Sequence, residues 1–246
     1  IEGVQYSVFT KLKNKVRQQI FPKIACTIHP LQKVKIPADI RGRARRQLAG
    51  KLLQDIMANV MQKSAKVYPN IWQAIIAASH FVSKDKVIVE DVLFQSFTYN
   101  KLLLSSLTLA KCFQQIMPEK NTVGFLLPNM ATSIVVLLAG FANGRVWAML
   151  NYSGGIKAIK SACFTAKVSQ VVTSRAFLDR LRLVGLVAEL AADGVSVIYI
   201  EDVKIKIKWW HKVNAYFELK LAWFSGIQGQ ETADKAAVVL FTSGSE

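Results

Sequence analysis

With 246 residues, 52% of them hydrophobic, and a mean hydropathy of +0.26, the chain can bury one good core or two modest ones, and its composition excludes the disordered and low-complexity classes. A formal charge of +16 and a pI near 9.9 call for an anionic partner. Three widely spaced cysteines, Cys26, Cys112 and Cys163, exclude a disulfide framework and a C-x-x-C metal site, so a reducing cytoplasmic setting is expected.

The charge is uneven: residues 1–66 hold 14 Lys/Arg against 3 Asp/Glu, a net of +11, and the remaining 180 residues hold 18 against 13, a net of +5. Residues 10–21 predict a basic helix, with Lys11, Lys13, Lys15 and Arg17 around Leu12, Val16 and Ile20 at four-residue spacing. After Pro22, residues 23–29 alternate as a strand does, and Pro30 and Pro37 mark an irregular passage. Residues 41–64 predict a long helix whose stripe is Leu48, Leu52, Ile56, Met57 and Val60, with Arg41, Arg43, Arg45 and Arg46 in its first turns. Cations at a helix N-terminus oppose the macrodipole, so an anionic partner explains them better than helix stability does. Nucleic acid is not expected, because neither interleaved aromatics nor a recognisable module accompanies the charge. A phospholipid surface and a solvated basic face without a partner both stay open.

Residues 70–82 form a predicted helical segment, and from Lys86 the texture becomes α/β. A strand over 87–89 is followed by a helix over 98–117, a strand over 121–127 ending at Pro128-Asn129, and a helix over 130–143. A strand over 145–150, a helix over 156–167, a strand over 169–173, a helix over 175–192 and a strand over 195–200, closing at Glu201-Asp202, continue the pattern. This alternation predicts right-handed βαβ units on a parallel sheet. Residues 123–142 carry no charge over a length that could span a bilayer, but Pro128-Asn129 sits where a strand-turn-helix unit needs its turn, and a buried βα unit is expected. Residues 209–224 predict a helix with Trp210, Val213, Phe217, Leu221 and Phe224 on one stripe, and Trp209, Tyr216 and Trp223 beside it. With Lys204, Lys206, Lys208, Lys212 and Lys220 nearby, it suits either a membrane interface or packing on the sheet. His80 and Asp85 show the spacing His-x-x-x-x-Asp, but no phosphate- or lipid-binding loop flanks them and the spacing reads as chance. His29 and His211 read as structural.

Residues 236–241 form a short apolar run suited to a strand buried on both faces, and it feeds into Thr242-Ser243-Gly244-Ser245-Glu246. Glycine lets backbone N–H groups approach an anion and hydroxyls add donors, so Thr242, Ser243, Gly244, Ser245 and Glu246 are the candidate phosphate-binding residues. No catalytic and no metal-binding residue is predicted within the chain. The run AAVVLFTSGSE resembles the phosphate loop of the adenylate-forming (AMP-binding) superfamily, in which an apolar strand enters T-S-G-S-(T/E). VGFLLPNMATSIVVLLAGFANG and MLNYSGG resemble the N-terminal subdomain of those enzymes, and Val171-Val172-Thr173-Ser174-Arg175 with Phe177-Leu178 resembles their acyl-ACP synthetase members. VFTKLKNKVRQQIFPKI, within residues 1–37, resembles the tail of the acyltransferase half of the bifunctional acyl-ACP synthetase/2-acylglycerophosphoethanolamine acyltransferase family.

The resemblance implies an α/β fold: the parallel βαβ sheet of the N-terminal subdomain of an adenylate-forming enzyme, preceded by an acyltransferase tail. Residues 1–66 would be the remnant of a lysophospholipid acyltransferase domain with a basic linker helix. Residues 67–246 would be the first part of the AMP-binding domain, stopping inside its phosphate loop. It implies an acid–thiol ligase that uses ATP and Mg2+ to activate fatty acid as an acyl-adenylate, with acyl carrier protein, lysophospholipid and a membrane surface as partners, at the cytoplasmic face of the inner membrane. The loop's glycine turn and lysine, the adenine pocket and the magnesium-binding glutamate of the family fall outside the chain, so the fragment alone is expected to be inactive. Two other readings stay open: an acyl-CoA synthetase, and a non-catalytic truncated remnant that adsorbs to membrane surfaces.

Overall fold

The structure, a computed structural model, describes residues 4, 7–9, 20–22, 24, 26–37, 39–64, 70–119, 121–225 and 235–241. The chain divides into two compact units, Ile1–Val67 and Tyr68–Glu246.

In the first unit, helix α1 (Gly42–Ser64) follows the predicted pattern. Leu48, Leu52, Ile56 and Val60 recur every four residues and are half-buried, whereas Met57 and the four arginines at the helix start are exposed. The strand predicted over 23–29 is absent from its described residues: Ile28 is 90% exposed, and alternation alone makes no ladder without a neighbouring strand. The basic helix predicted over 10–21 lies outside the described residues except for Ile20 and Phe21, which form a bend.

The second unit begins with α2 (Ile71–Ser79), capped by Asn70, whose Oδ1 accepts the Gln73 N–H at 2.8 Å. A hairpin of β1 (Val87–Glu90) and β2 (Ser96–Thr98) leads into α3 (Tyr99–Ile116), where the Thr98 hydroxyl accepts the Lys101 N–H. The alternating part follows: β3 (Thr122–Leu126), α4 (Ala131–Ala142), β4 (Val146–Met149), a single 3-10 turn (Tyr152–Gly154), α5 (Gly155–Thr165) and β5 (Gln170–Thr173). Then come α6 (Arg175–Arg180), α7 (Val184–Ala192), β6 (Ser196–Tyr199), α8 (Ile200–Lys206), α9 (Trp209–Ser225) and β7 (Val238–Leu240). The five strands β3–β7 form one sheet in the order β6-β5-β3-β4-β7, and every neighbouring pair is parallel.

Both faces of this sheet are covered, which is why its strands read as unbroken apolar runs. On one face Val123, Phe125, Trp147 and Val172 meet Trp72, Leu103, Phe113, Val136 and Leu219. On the other, Leu126, Ala148 and Val171 meet Ile159, Cys163, Leu186 and Leu190. Trp147 lies edge-on to Phe113 and Phe125 and donates its indole N–H to the Leu137 carbonyl at 2.9 Å. Its ring lies against Gly140, so that a Cβ there would fall inside the indole.

Four expectations are corrected. Residues 175–192 form two helices, because Arg182 turns the chain at φ +57° and the Leu183 N–H bonds back to Leu178. Residues 200–206 form a helix, with Ile200 and Val203 buried and Glu201 and Asp202 favourably placed in its first turn. β7 is not buried on both faces: it pairs with β4 alone among the described residues, and Leu240 is 73% exposed. Helix α9 packs on α3, and through a different face from the predicted stripe. It buries His211, Ala215 and Leu219 and leaves Trp210, Val213, Phe217 and Leu221 exposed; the side chains of Trp223 and Phe224 lie outside the described residues. Residues 123–142 resolve as β3 followed by α4, and among the described residues no helix is long and apolar enough to cross a membrane.

Candidate functional site

Because the strands are parallel, their C-terminal ends gather on one edge of the sheet. β3 lies at the centre, and α4, which follows it, covers one face while α5 and α6, after β4 and β5, cover the other. Such a switch in an open α/β sheet makes a crevice at the carboxyl ends of the strands, where ligands bind. The edge carries Pro128-Asn129 after β3, the turn after β4 in which Asn151 Oδ1 accepts the Ser153 N–H and Gly155 takes φ +74°, Ser174 after β5, and Glu201 after β6. β7 ends here too, since Leu240 is in register with Met149 of β4. Thr242, Ser243, Gly244, Ser245 and Glu246 follow Phe241 directly and lie outside the described residues. What is described is the strand that delivers them.

A cavity of about 410 Å³ opens between β1, the ends of β3 and β4, and the start of α4, with Glu90, Asp91, Phe125, Asn129 and Met149 among its lining. Asp91 organises it. Its Oδ1 accepts the N–H groups of Leu93 at 2.9 Å and Gln95 at 3.0 Å, and its Oδ2 accepts the Ala131 N–H at 3.2 Å, at the first residue of α4. Burial pushes the Asp91 carboxyl up, but the N–H donors of Gln95, Ala131 and Leu93 outweigh it and hold the group below the ordinary carboxylate range. A carboxylate therefore already sits at the positive end of α4, a place that would otherwise suit a phosphate.

A second group ties β5 to β6. The Ser174 hydroxyl donates to Glu201 Oε1 at 2.7 Å, and the Arg175 backbone N–H donates to the same oxygen at 3.0 Å. The Arg175 guanidinium forks onto both oxygens of Asp202 at 2.7 and 2.6 Å and lies over the Tyr199 ring at 4.0 Å. That hydrogen bond raises the Arg175 pKa and lowers that of Asp202. Glu201 Oε2 is buried with no hydrogen-bond partner among the described residues, and Glu201 lines a cavity of about 270 Å³ together with Pro128, Ser174, Ile200 and Lys204. Neither Asp91 nor this cluster was found from the sequence. The available signal was positional: Ser174 and Glu201 each follow a strand, one βαβ unit apart, and parallel strands bring such positions together.

His80 closes α2 as its C-cap and Asp85 is exposed in the turn before β1; neither lines the cavities at the strand ends. His211 is buried, its Nδ1 accepting the Lys208 N–H at 3.0 Å and its Nε2 without a hydrogen-bond partner among the described residues.

Comparison with known proteins agrees with this architecture. Residues 77–246, more than half of the chain, match the family described as AMP-binding enzyme. Among solved structures, the chain is similar to VinN in complex with 3-methylaspartate, at 22% identity and a TM-score of 0.51, over 72% of this chain and 45% of VinN. It is also similar to the N-terminal subdomain of Klebsiella oxytoca NpsA in complex with 3-hydroxybenzoyl-AMSN, at 16% identity and a TM-score of 0.52, over 74% of this chain and 41% of that one. The chain thus spans less than half the length of either structure. It belongs to the AMP-binding enzyme family, and its parallel sheet is that of the N-terminal subdomain of adenylate-forming enzymes.

Proposed function

We propose that this chain is the front part of an ATP-dependent acyl ligase, an acyl-ACP synthetase fused behind a lysophospholipid acyltransferase and working at the cytoplasmic face of the inner membrane. The observation that carries the adenylation is β7, an apolar strand parallel to β4 that reaches the carboxyl edge of the sheet directly before Thr242-Ser243-Gly244-Ser245-Glu246. The donor set of that loop fits the phosphates of ATP, with three hydroxyls and a glycine that lets backbone N–H groups come close. Asp91 at the start of α4 supports giving the phosphates to this loop rather than to that helix. The fused acyltransferase and the membrane setting are supported by the resemblance of residues 1–37 and by the net charge of +11 over residues 1–66.

In the reaction, a carboxylate oxygen of the fatty acid attacks the α-phosphorus of ATP, and the bond to pyrophosphate breaks to give acyl-adenylate. The thiol of acyl carrier protein then takes the acyl group, releasing AMP, and a lysophospholipid hydroxyl receives it in turn. Mg2+ supplies charge neutralisation on the phosphates when bound. Thr242, Ser243 and Ser245 donate to the β- and γ-phosphate oxygens, Gly244 admits the backbone, and Glu246, itself an anion, joins through its N–H. These donors act where charge grows on the departing pyrophosphate.

The test is fatty-acid-dependent exchange of pyrophosphate into ATP by the longer protein that carries this chain. Exchange is expected, and replacing Thr242, Ser243 and Ser245 together with alanine should lower it by roughly a hundredfold or more. Absence of exchange with every fatty acid tried, or a triple variant that exchanges normally, contradicts the assignment. Transfer to coenzyme A in preference to acyl carrier protein would make the enzyme an acyl-CoA synthetase.

A further inference from the structure

Helix α9 turns its largest apolar side chains outward. Its packing on α3 uses His211, Ala215, Leu219 and Ala222, spaced three or four residues apart, and Glu218 forms an ion pair with Lys111 of α3. At 3.6 residues per turn the opposite side carries Trp209, Trp210, Val213, Tyr216 and Phe217, all exposed, with Trp209 at 71% and Phe217 at 66%. Five exposed apolar and aromatic side chains gathered on one side of a helix mark an interaction surface rather than chance exposure.

Its chemistry selects the partner. Trp and Tyr combine an apolar ring with a polar group and concentrate where hydrocarbon meets headgroups. Lys220 lies on the same side with its ammonium 5.4 Å from the Tyr216 ring centroid, and Lys208 reaches over Trp210 at 4.7 Å. Lys204, Lys206 and Lys212 complete an exposed cationic rim, and none of these five lysines is in an ion pair among the described residues. The acids nearby are engaged elsewhere: Asp202 with Arg175, Glu201 with Ser174, and Glu218 with Lys111. An apolar, ring-rich strip with lysines along it complements an anionic phospholipid surface, in which the rings sit among the headgroups and the ammonium groups reach the phosphates.

We propose that α9 lies in the plane of an anionic phospholipid surface and holds the parallel-sheet unit there. This rests on the membrane setting of the proposed function but not on its adenylation chemistry. So that adsorption through the basic first unit is not counted as binding by α9, the test reads α9 directly. The full chain is mixed with brominated vesicles, either of phosphatidylcholine alone or of phosphatidylcholine and phosphatidylglycerol in equal parts, without nucleotide. Trp72 and Trp147 are buried, so bromine quenching reports the indoles of α9. Quenching is expected with the anionic vesicles, falling as salt rises, and the double variant Val213→Ser, Phe217→Ser should need at least roughly tenfold more lipid for the same quenching, with its melting temperature kept. The proposal is overturned by sedimentation with vesicles without indole quenching, by a double variant whose indoles are quenched as the parent's are, or by a patch that instead mediates self-association. Pyrophosphate exchange by the longer protein is scored separately, so neither failure is mistaken for the other.

Discussion

At the scale of single residues, Asp91 has the largest share in shaping the strand-end edge, since one carboxylate fixes the β1–β2 turn and the start of α4 together. Its folded-state pKa is depressed, so the stability it contributes is fully present above the unfolded pKa of about 4 and is lost as the pH falls through that value towards the folded one. Replacing Asp91 with Asn keeps the shape and removes the charge. Thermal melts from pH 7 to pH 3 should show a smaller loss of stability over the acid range for D91N than for the parent; parallel curves would contradict the role. Asp91 bonds a residue 40 positions away and Ser174 bonds one 27 away, and pairings of that range leave no periodic trace in a sequence. The T-S-G-S-E reading, by contrast, rests on five consecutive residues and needs no partner elsewhere in the chain.

At the scale of elements, the contact between α4 and β4 is set by one absent side chain. Trp147 occupies the space over Gly140, so Gly140→Ala forces the helix and the strand apart and should cost about 1–3 kcal/mol, read as a lower urea midpoint. Trp147→Phe returns room, and the double variant should lose less than the sum of the two singles; strict additivity would place the methyl elsewhere. The same economy of size explains where the elements could and could not be read. Strands buried on both faces gave continuous apolar runs, and the alternation of β and α followed from them. β2 has three residues, too few for a period, and the break between α6 and α7 rests on an arginine at positive φ, where a glycine would have announced it. For α9 the bulkiest stripe suits either a membrane interface or a packing face, and the helix lies close on α3 through small residues such as Ala215 and Ala222, leaving the bulk outside.

At the scale of the whole molecule, both hydrophobic clusters are built, among the described residues, from the second unit, between Trp72 and Phe241. Residues 68–246 should therefore fold without the first 67, giving one cooperative thermal transition and retained near-ultraviolet signal from Trp147. A non-cooperative melt would show that the first unit supplies part of the core. Removing it also takes away most of the net positive charge, +11 of +16, so salt sensitivity of any lipid binding that survives belongs to the second unit.

The order of strands in space differs from their order in the chain. Among the described residues β6 forms one border of the sheet and β7 the opposite one, so the chain has to cross from one border to the other between them. During synthesis the interior strands can assemble as they emerge, but β7 has nowhere to bind until β4 is set and that crossing is complete. The strand that leads into residues 242–246 thus joins after β3, β4, β5 and β6, and under the proposed function nucleotide recognition would arrive only after those four strands have been laid down.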